Sequence, residues 1–258
     1  ISGDRFVDLS SNRACLTARS VLLLDKDNAT IPLVTQPELD LLEKIYRQSV
    51  RVGDLGHCFT GEVDLTLGKD LITQDETNPP LLRGAGITKY GILSKMSQGE
   101  LLYIKERRFL QSASARKVAH TKAERIIMQG ITGVNEKTRL RMTLVPAGTY
   151  LANSVNYLVF DSEKDLKVVL GVLNSRLVNF VFARFSTNSN VNGYEVDNLP
   201  LPKRVTDEAA IVELVDNMLA ARKKNPSGNV SNAEAKLDRL VYGLYGLTAQ
   251  EITIVEGS

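Results

Sequence analysis

The stretch Phe185–Lys203, FSTNSNVNGYEVDNLPLPK, governs the reading of this chain. Six of the eight residues from Ser186 to Gly193 are Ser, Thr or Asn, and none is charged. Such side chains bond their own backbone in turns and leave hydrogen-bonding edges free, and Asn is able to pair bidentately with adenine in a DNA groove. The composition suits an ordinary polar turn after a helix as well as a surface loop that is specific without charge. Upstream, Ser162–Phe185 reads as one long helix, amphipathic at first and nearly all apolar by Val178–Phe182, packed under a sheet and delivering the Ser186–Tyr194 loop to the surface. Asn174, Ser175, Arg176 and Asn179 interrupt its most apolar part, which fits a buried helix and no membrane span.

Working outward, Arg139-Leu140-Arg141-Met142-Thr143-Leu144 has a period of two, with Leu140, Met142 and Leu144 on one face and Arg139, Arg141 and Thr143 on the other. A preceding strand over Arg125–Ile131 places Arg125, Ile127 and Gln129 on a common side. Together the two strands are expected to turn Arg and Gln toward a groove, although Arg on a strand surface is commonplace. Charge is also uneven along the chain. Between Arg83 and Arg141 thirteen Lys or Arg stand against four acids, giving +9 and leaving −7 for the remainder of a chain whose net charge is +2. A face that neutralises phosphates has this footprint; so has a basic surface docked on an acidic partner.

The remaining pattern is a mixed α/β (α+β) one. Asp4–Leu24 ends in VLLL and reads as strand. Thr35-Gln36-Pro37-Glu38 is a capping box opening a helix to about Gln48. From Val52 to Ile104, short apolar runs alternate with Gly-containing breaks, as in short strands. After residue 205, helices are expected over 207–223, after Ser231-x-x-Glu234, and after Thr248-x-x-Glu251. The expected organisation is a mixed sheet with packed helices in residues 1–204 and a helical C-terminal appendage in 205–258. The start at Ile1, without Met or an apolar leader, reads as that of a fragment of a cytoplasmic protein. Only Cys15, Cys58, His57 and His120 are present, too few for a disulfide framework or a zinc site without carboxylates.

These blocks carry a family resemblance. A helix bearing Leu173-Asn174-Ser175 runs into STNSNVNGYEV and closes with LPLPK. Together with CFTGEVDLT (58–66), PLLRGAGITKYGI (80–92), RIIMQGITG (125–133), LANSVNYLVF (151–160) and LDRLVYGLYGLTAQEITIVE (237–256), this resembles the TaqI-like C-terminal specificity domains. In many type II restriction-modification enzymes such a domain follows an adenine-N6 DNA methyltransferase core. The resemblance implies a target-recognition domain that is not catalytic by itself. Its partners would be double-stranded DNA and an upstream methyltransferase or nuclease domain of the same polypeptide. S-adenosylmethionine, and Mg²⁺ for any nuclease, would belong to that upstream part, and no cofactor to this one.

Base readers are expected among Gln129, Arg139, Arg141, Asn188, Asn190 and Asn192, with Ser186 and Thr187 in the same loop. Phosphate contacts are expected of Arg83, Lys89, Arg125 and Lys137. Thr60-Gly61-Glu62 is a weaker candidate, since Glu accepts from cytosine N4. Motifs of catalysis are incomplete. Asn78-Pro79-Pro80-Leu81 resembles the NPPY of adenine-N6 methyltransferases, but Leu81 offers no ring on which a flipped base would stack. Asp165-Leu166-Lys167 and Glu234-Ala235-Lys236 have acid-x-Lys spacing within helices, without the converging carboxylates of a metal nuclease. A degenerate S-adenosylmethionine-dependent methyltransferase and a protein-interaction module with a basic docking face are the rival classes.

Overall fold

A computed structural model describes residues 14–93, 101–162 and 164–257. The first helices, α1 (Ala18–Leu24) and α2 (Gln36–Arg47), are followed by strand β1 (Ser49–Arg51) and β2 (Gly56–Thr60). Short strands β3 (Ile72–Thr73), β4 (Pro80–Leu82), β5 (Ile87–Thr88), β6 (Gly91–Ile92) and β7 (Leu102–Ile104) precede α3 (Glu106–Ser112) and α4 (Ala115–Thr121). Then come β8 (Arg125–Gln129), β9 (Met142–Val145), β10 (Tyr150–Leu151) and β11 (Val155–Phe160). The chain ends through α5 (Leu166–Leu173), α6 (Arg176–Phe185), α7 (Gly193–Asp197), β12 (Pro200–Pro202), α8 (Glu208–Lys224), α9 (Ser231–Leu244) and α10 (Ala249–Glu256).

The centre is an antiparallel sheet in the order β2-β11-β8-β9, with Tyr157 opposite both Phe59 and Ile127. Alternation sorts its side chains into two covered faces. Cys58, Leu158, Ile126, Met128, Met142 and Leu144 join the main core with α5, α6 and the C-terminal helices. Phe59, Tyr157, Ile127, Val145 and Val155 turn to the other side, where Ile87 and Leu151 cover them. A second sheet, β10-β4-β7-β3, carries its own small core of Val63, Leu81, Ile104, Phe109 and Tyr150. Beyond residue 205, Ile211, Val215, Met218, Leu237, Val241, Tyr245 and Val255 enter the main core. The mixed α+β architecture is the one expected from the sequence, with long connections between short strands.

Local signals explain most boundaries. Thr35 and Glu38 form the capping box of α2, with Thr35 N donating to Glu38 Oε2 at 2.7 Å. Thr248 and Glu251 do the same for α10. Three expectations need correction. Residues 18–24 are a helix, not a strand, started by the Thr17 hydroxyl accepting from Ser20 N; a short run such as VLLL does not separate the two by itself. The rest of the Asp4–Leu24 segment up to residue 13 lies outside the described residues. Ser162–Phe185 is two helices, bent by 61° at Asn174-Ser175. Asn174 leaves the helix because its amide is used elsewhere, receiving Met142 N and donating to Met142 O, both at 3.0 Å. Ser175 then caps α6 by accepting from Val178 N. Finally, Ser231 does not cap α9; Val230 occupies that position, and Glu234 instead pairs with Lys89 at 3.4 Å.

No single helix among the described residues is long and apolar enough to cross a membrane. The bent pair α5–α6 is apolar because it fills the core, where Leu170, Leu173, Leu177, Val178 and Val181 are fully enclosed.

Candidate nucleic-acid interface

The loop leaving α6 is divided between anchors and free side chains. Ser186 is buried as the C-cap of α6, Val191 and Glu195 are buried, and Thr187, Asn188, Ser189 and Asn190 are exposed. Asn188 Oδ1 accepts from Asn190 N at 2.9 Å, an Asx turn that rigidifies the exposed tip. Asn192 is different: its backbone N and Nδ2 both bond Glu195 Oε2, at 2.8 and 3.0 Å, as the capping box of α7. That corrects its reading as a free base reader, and burial corrects Ser186 likewise.

Beneath this tip sits Arg139, only 2% exposed. Its guanidinium lies 5.0 Å from the Phe182 ring centre and donates to Ser186 O at 3.1 Å and Asn188 O at 2.5 Å. Burial lowers its pKa from the ordinary arginine value, and Glu195 and Glu136 oppose that shift. Arg139 therefore holds the loop from below and is not itself presented to a groove. Asn179 Oδ1 takes Arg139 N at 2.8 Å and Leu140 N at 3.2 Å, so strand pairing begins only at Met142. The expected strand from Arg139 is shortened for this reason. Asn156 adds a further tether, donating from Nδ2 to Val191 O at 2.5 Å. Asn156, which is buried, and Asn179, which is half-buried, were not among the sequence candidates; an amide's distant partners give no signal in composition.

Arg125 is the largest correction. It is 1% exposed and paired with Glu62, whose side chain is fully enclosed. The guanidinium also donates to Thr149 O at 2.6 Å and stacks 4.7 Å from the Tyr157 ring centre, while Glu62 Oε2 accepts from Leu151 N at 3.0 Å. This ion pair joins the two sheets. Neither Arg125 as a phosphate contact nor Glu62 as a cytosine reader is at the surface.

The other candidates lie nearer to solvent. Gln129 donates to Ile87 O at 2.7 Å; with Lys89, Thr138 and Arg141 it lines a cleft of about 500 Å³ against α9. Arg141 pairs with Glu136, and Lys89 with Glu234, so each of these two cations already has a carboxylate partner. Arg83 is half-buried at the start of a tight turn, where Gly84 lies so close to Ser154 that a Cβ would sit 2.3 Å from its carbonyl oxygen. Lys137 is exposed. Sequence reasoning counted the α3–α4 cations only as part of a charged segment, yet Arg107, Arg116 and Lys122 are exposed there. Among the described residues Arg107, Lys122 and Lys137 have no ion-pair partner.

The catalytic look-alikes are accounted for structurally. Asn78 bonds Asp75 in an exposed turn and Leu81 is buried in β4. Asp165 caps α5, and Lys167 pairs with Asp216 at 2.7 Å. Burial, reinforced by the charge of Asp197, holds the Cys58 thiol protonated well above its usual range. Among the described residues no cluster of His, Cys, Asp or Glu is arranged to hold a metal ion.

Residues 79–201 match the TaqI-like C-terminal specificity domain. No curated protein sequence matches the chain. Among solved structures, 81% of the chain superposes on the type IIL restriction-modification enzyme MmeI, solved in complex with DNA, with a TM-score of 0.51 and 13% identity, over 36% of that enzyme. The chain thus spans about a third of its length. The type IIG restriction endonuclease BpuSI (TM-score 0.48, 12% identity, 81% of this chain and 32% of that one) is also similar. So is the HsdS subunit from Thermoanaerobacter tengcongensis (TM-score 0.36, 12% identity, 81% and 50%).

Proposed function

We propose that this chain, whose residues 79–201 belong to the TaqI-like C-terminal specificity domains, recognises a short double-stranded DNA sequence on behalf of an adjoining domain. The observation that carries the reading is the Thr187–Asn190 tip, an exposed and uncharged set of donors and acceptors fastened from below by buried Arg139. A loop fixed before binding loses little conformational freedom on contact, so its hydrogen bonds are available for discrimination. Asn188 and Asn190 are the base readers in this scheme. In the same scheme the exposed cations Lys137, Lys122, Arg107 and Arg116 would neutralise phosphates, contacts that fix position without reading sequence.

The partner domain would be a DNA adenine methyltransferase, with or without a nuclease, holding S-adenosylmethionine and any Mg²⁺ in the same cytoplasmic enzyme. This part contributes no chemistry of its own. The test is selection of duplexes from a randomised library by the chain at low salt, followed by titration of the selected duplex against scrambled DNA. Enrichment of one short sequence, with affinity falling steeply as salt rises, is the expected result. Absence of enrichment, or binding indifferent to salt, would refute it.

A further inference from the structure

Beside the polar tip the structure holds an aliphatic side chain for which the fold has no use. Ile131 is 61% exposed, although its backbone is firmly fixed: it bridges Asn190 in antiparallel fashion, with Thr132 N donating to Ser189 O at 2.8 Å and Val191 N to Gly130 O at 2.9 Å. Those flanking bonds make Ile131 and Asn190 a non-hydrogen-bonded pair, the geometry in which facing side chains stand closest, about 4.5–5.5 Å apart at Cβ, on one face. Alternation confirms the direction. Thr132 and Val191, the next residues on each strand, are 4% and 3% exposed and point into the protein. Ile131 and Asn190 thus project together from a two-stranded platform whose underside is braced by Arg139 against Thr132 and Asn188. A thymine 5-methyl group is the apolar feature of the major groove, and it lies on the same base-pair edge as the adenine N6 and N7 atoms that Asn recognises.

We infer that Ile131 is a specificity-determining residue that packs on a thymine 5-methyl group next to the base edge bonded by Asn190. The inference rests on the DNA-recognition reading above and names one chemical determinant of its target. The experiment replaces each thymine of the selected duplex, one at a time, with deoxyuridine, which removes only the methyl group. Wild-type chain should lose about fourfold in affinity at one thymine, the transfer value of one buried carbon. Ile131→Ala should bind the thymine duplex several-fold more weakly and be indifferent to that replacement, and Ile131→Thr, which retains a methyl, should recover part of the sensitivity. Because Ile131 is exposed, the variants should melt with the wild type. Tolerance of deoxyuridine at every position by the wild type, or undiminished sensitivity in Ile131→Ala, would overturn the inference while leaving DNA recognition standing. Failure to select any duplex would instead overturn both.

Discussion

Removing one partner of the Arg125–Glu62 pair should unfold the protein more readily without touching recognition directly. Both side chains are enclosed, at 1% and 0% exposure, so neither would be solvated when the other is lost. In Glu62→Gln the guanidinium keeps Thr149 O and the Tyr157 ring but loses its counter-charge, and in Arg125→Met the carboxylate keeps, among the described residues, only Leu151 N. Stranding a buried charge in this way costs about 3–5 kcal/mol. With a urea slope of about 2–3 kcal/mol/M, the midpoint should move down by about 1–2.5 M. The double variant Arg125→Met/Glu62→Leu, which leaves no charge behind, should recover much of that loss, because a well-packed apolar pair often replaces an ion pair at little cost. The assay is urea unfolding followed by circular dichroism, with the affinity and salt slope for the selected DNA measured below the transition. A midpoint unchanged in Arg125→Met, together with a salt slope smaller by about one phosphate contact, would refute the burial argument and restore Arg125 to the DNA face.

Three further outcomes are expected. Asn192→Ala should cost about 1 kcal/mol of stability through loss of the α7 cap and leave the ratio of cognate to scrambled affinity unchanged, whereas Asn188→Ala or Asn190→Ala should lose about 1–3 kcal/mol on the cognate duplex alone; thermal melts and titrations on the same samples compare them. Lys137→Ala should weaken cognate and scrambled DNA alike and reduce the magnitude of the log–log salt slope by about 1, as measured by fluorescence anisotropy. Burial, and then the charges of Arg125 and Arg116, hold the pKa of His120 below its ordinary value of 6.5. Folding therefore favours the neutral ring: this contribution is complete above about pH 6.5 and is lost as pH falls through the folded value. His120→Gln should accordingly flatten the dependence of the unfolding midpoint on pH below 6.5, and an unaltered profile would count against this assignment.

Much of this protein is written in local sequence. Pro37 with the Thr35–Glu38 box starts α2, Thr248–Glu251 starts α10, glycines punctuate the short strands, and the uncharged polar run with its LPLPK exit marks the exposed loop after α6. These features act over a few residues, through backbone bonds and side-chain periodicity that any copy of the segment would share. What tertiary structure alone decided is the use of each long polar side chain. Arg125, Arg139 and Lys137 look alike in a basic segment, yet Glu62, 63 residues away in sequence, draws Arg125 into the core, and a loop 47 residues downstream draws in Arg139. Only Lys137 stays in solvent. Likewise Asn174 breaks an otherwise continuous apolar helix because β9 supplies backbone groups for its amide. A guanidinium or amide is buried only where distant chain completes its hydrogen bonds, and which distant chain arrives is a property of the fold.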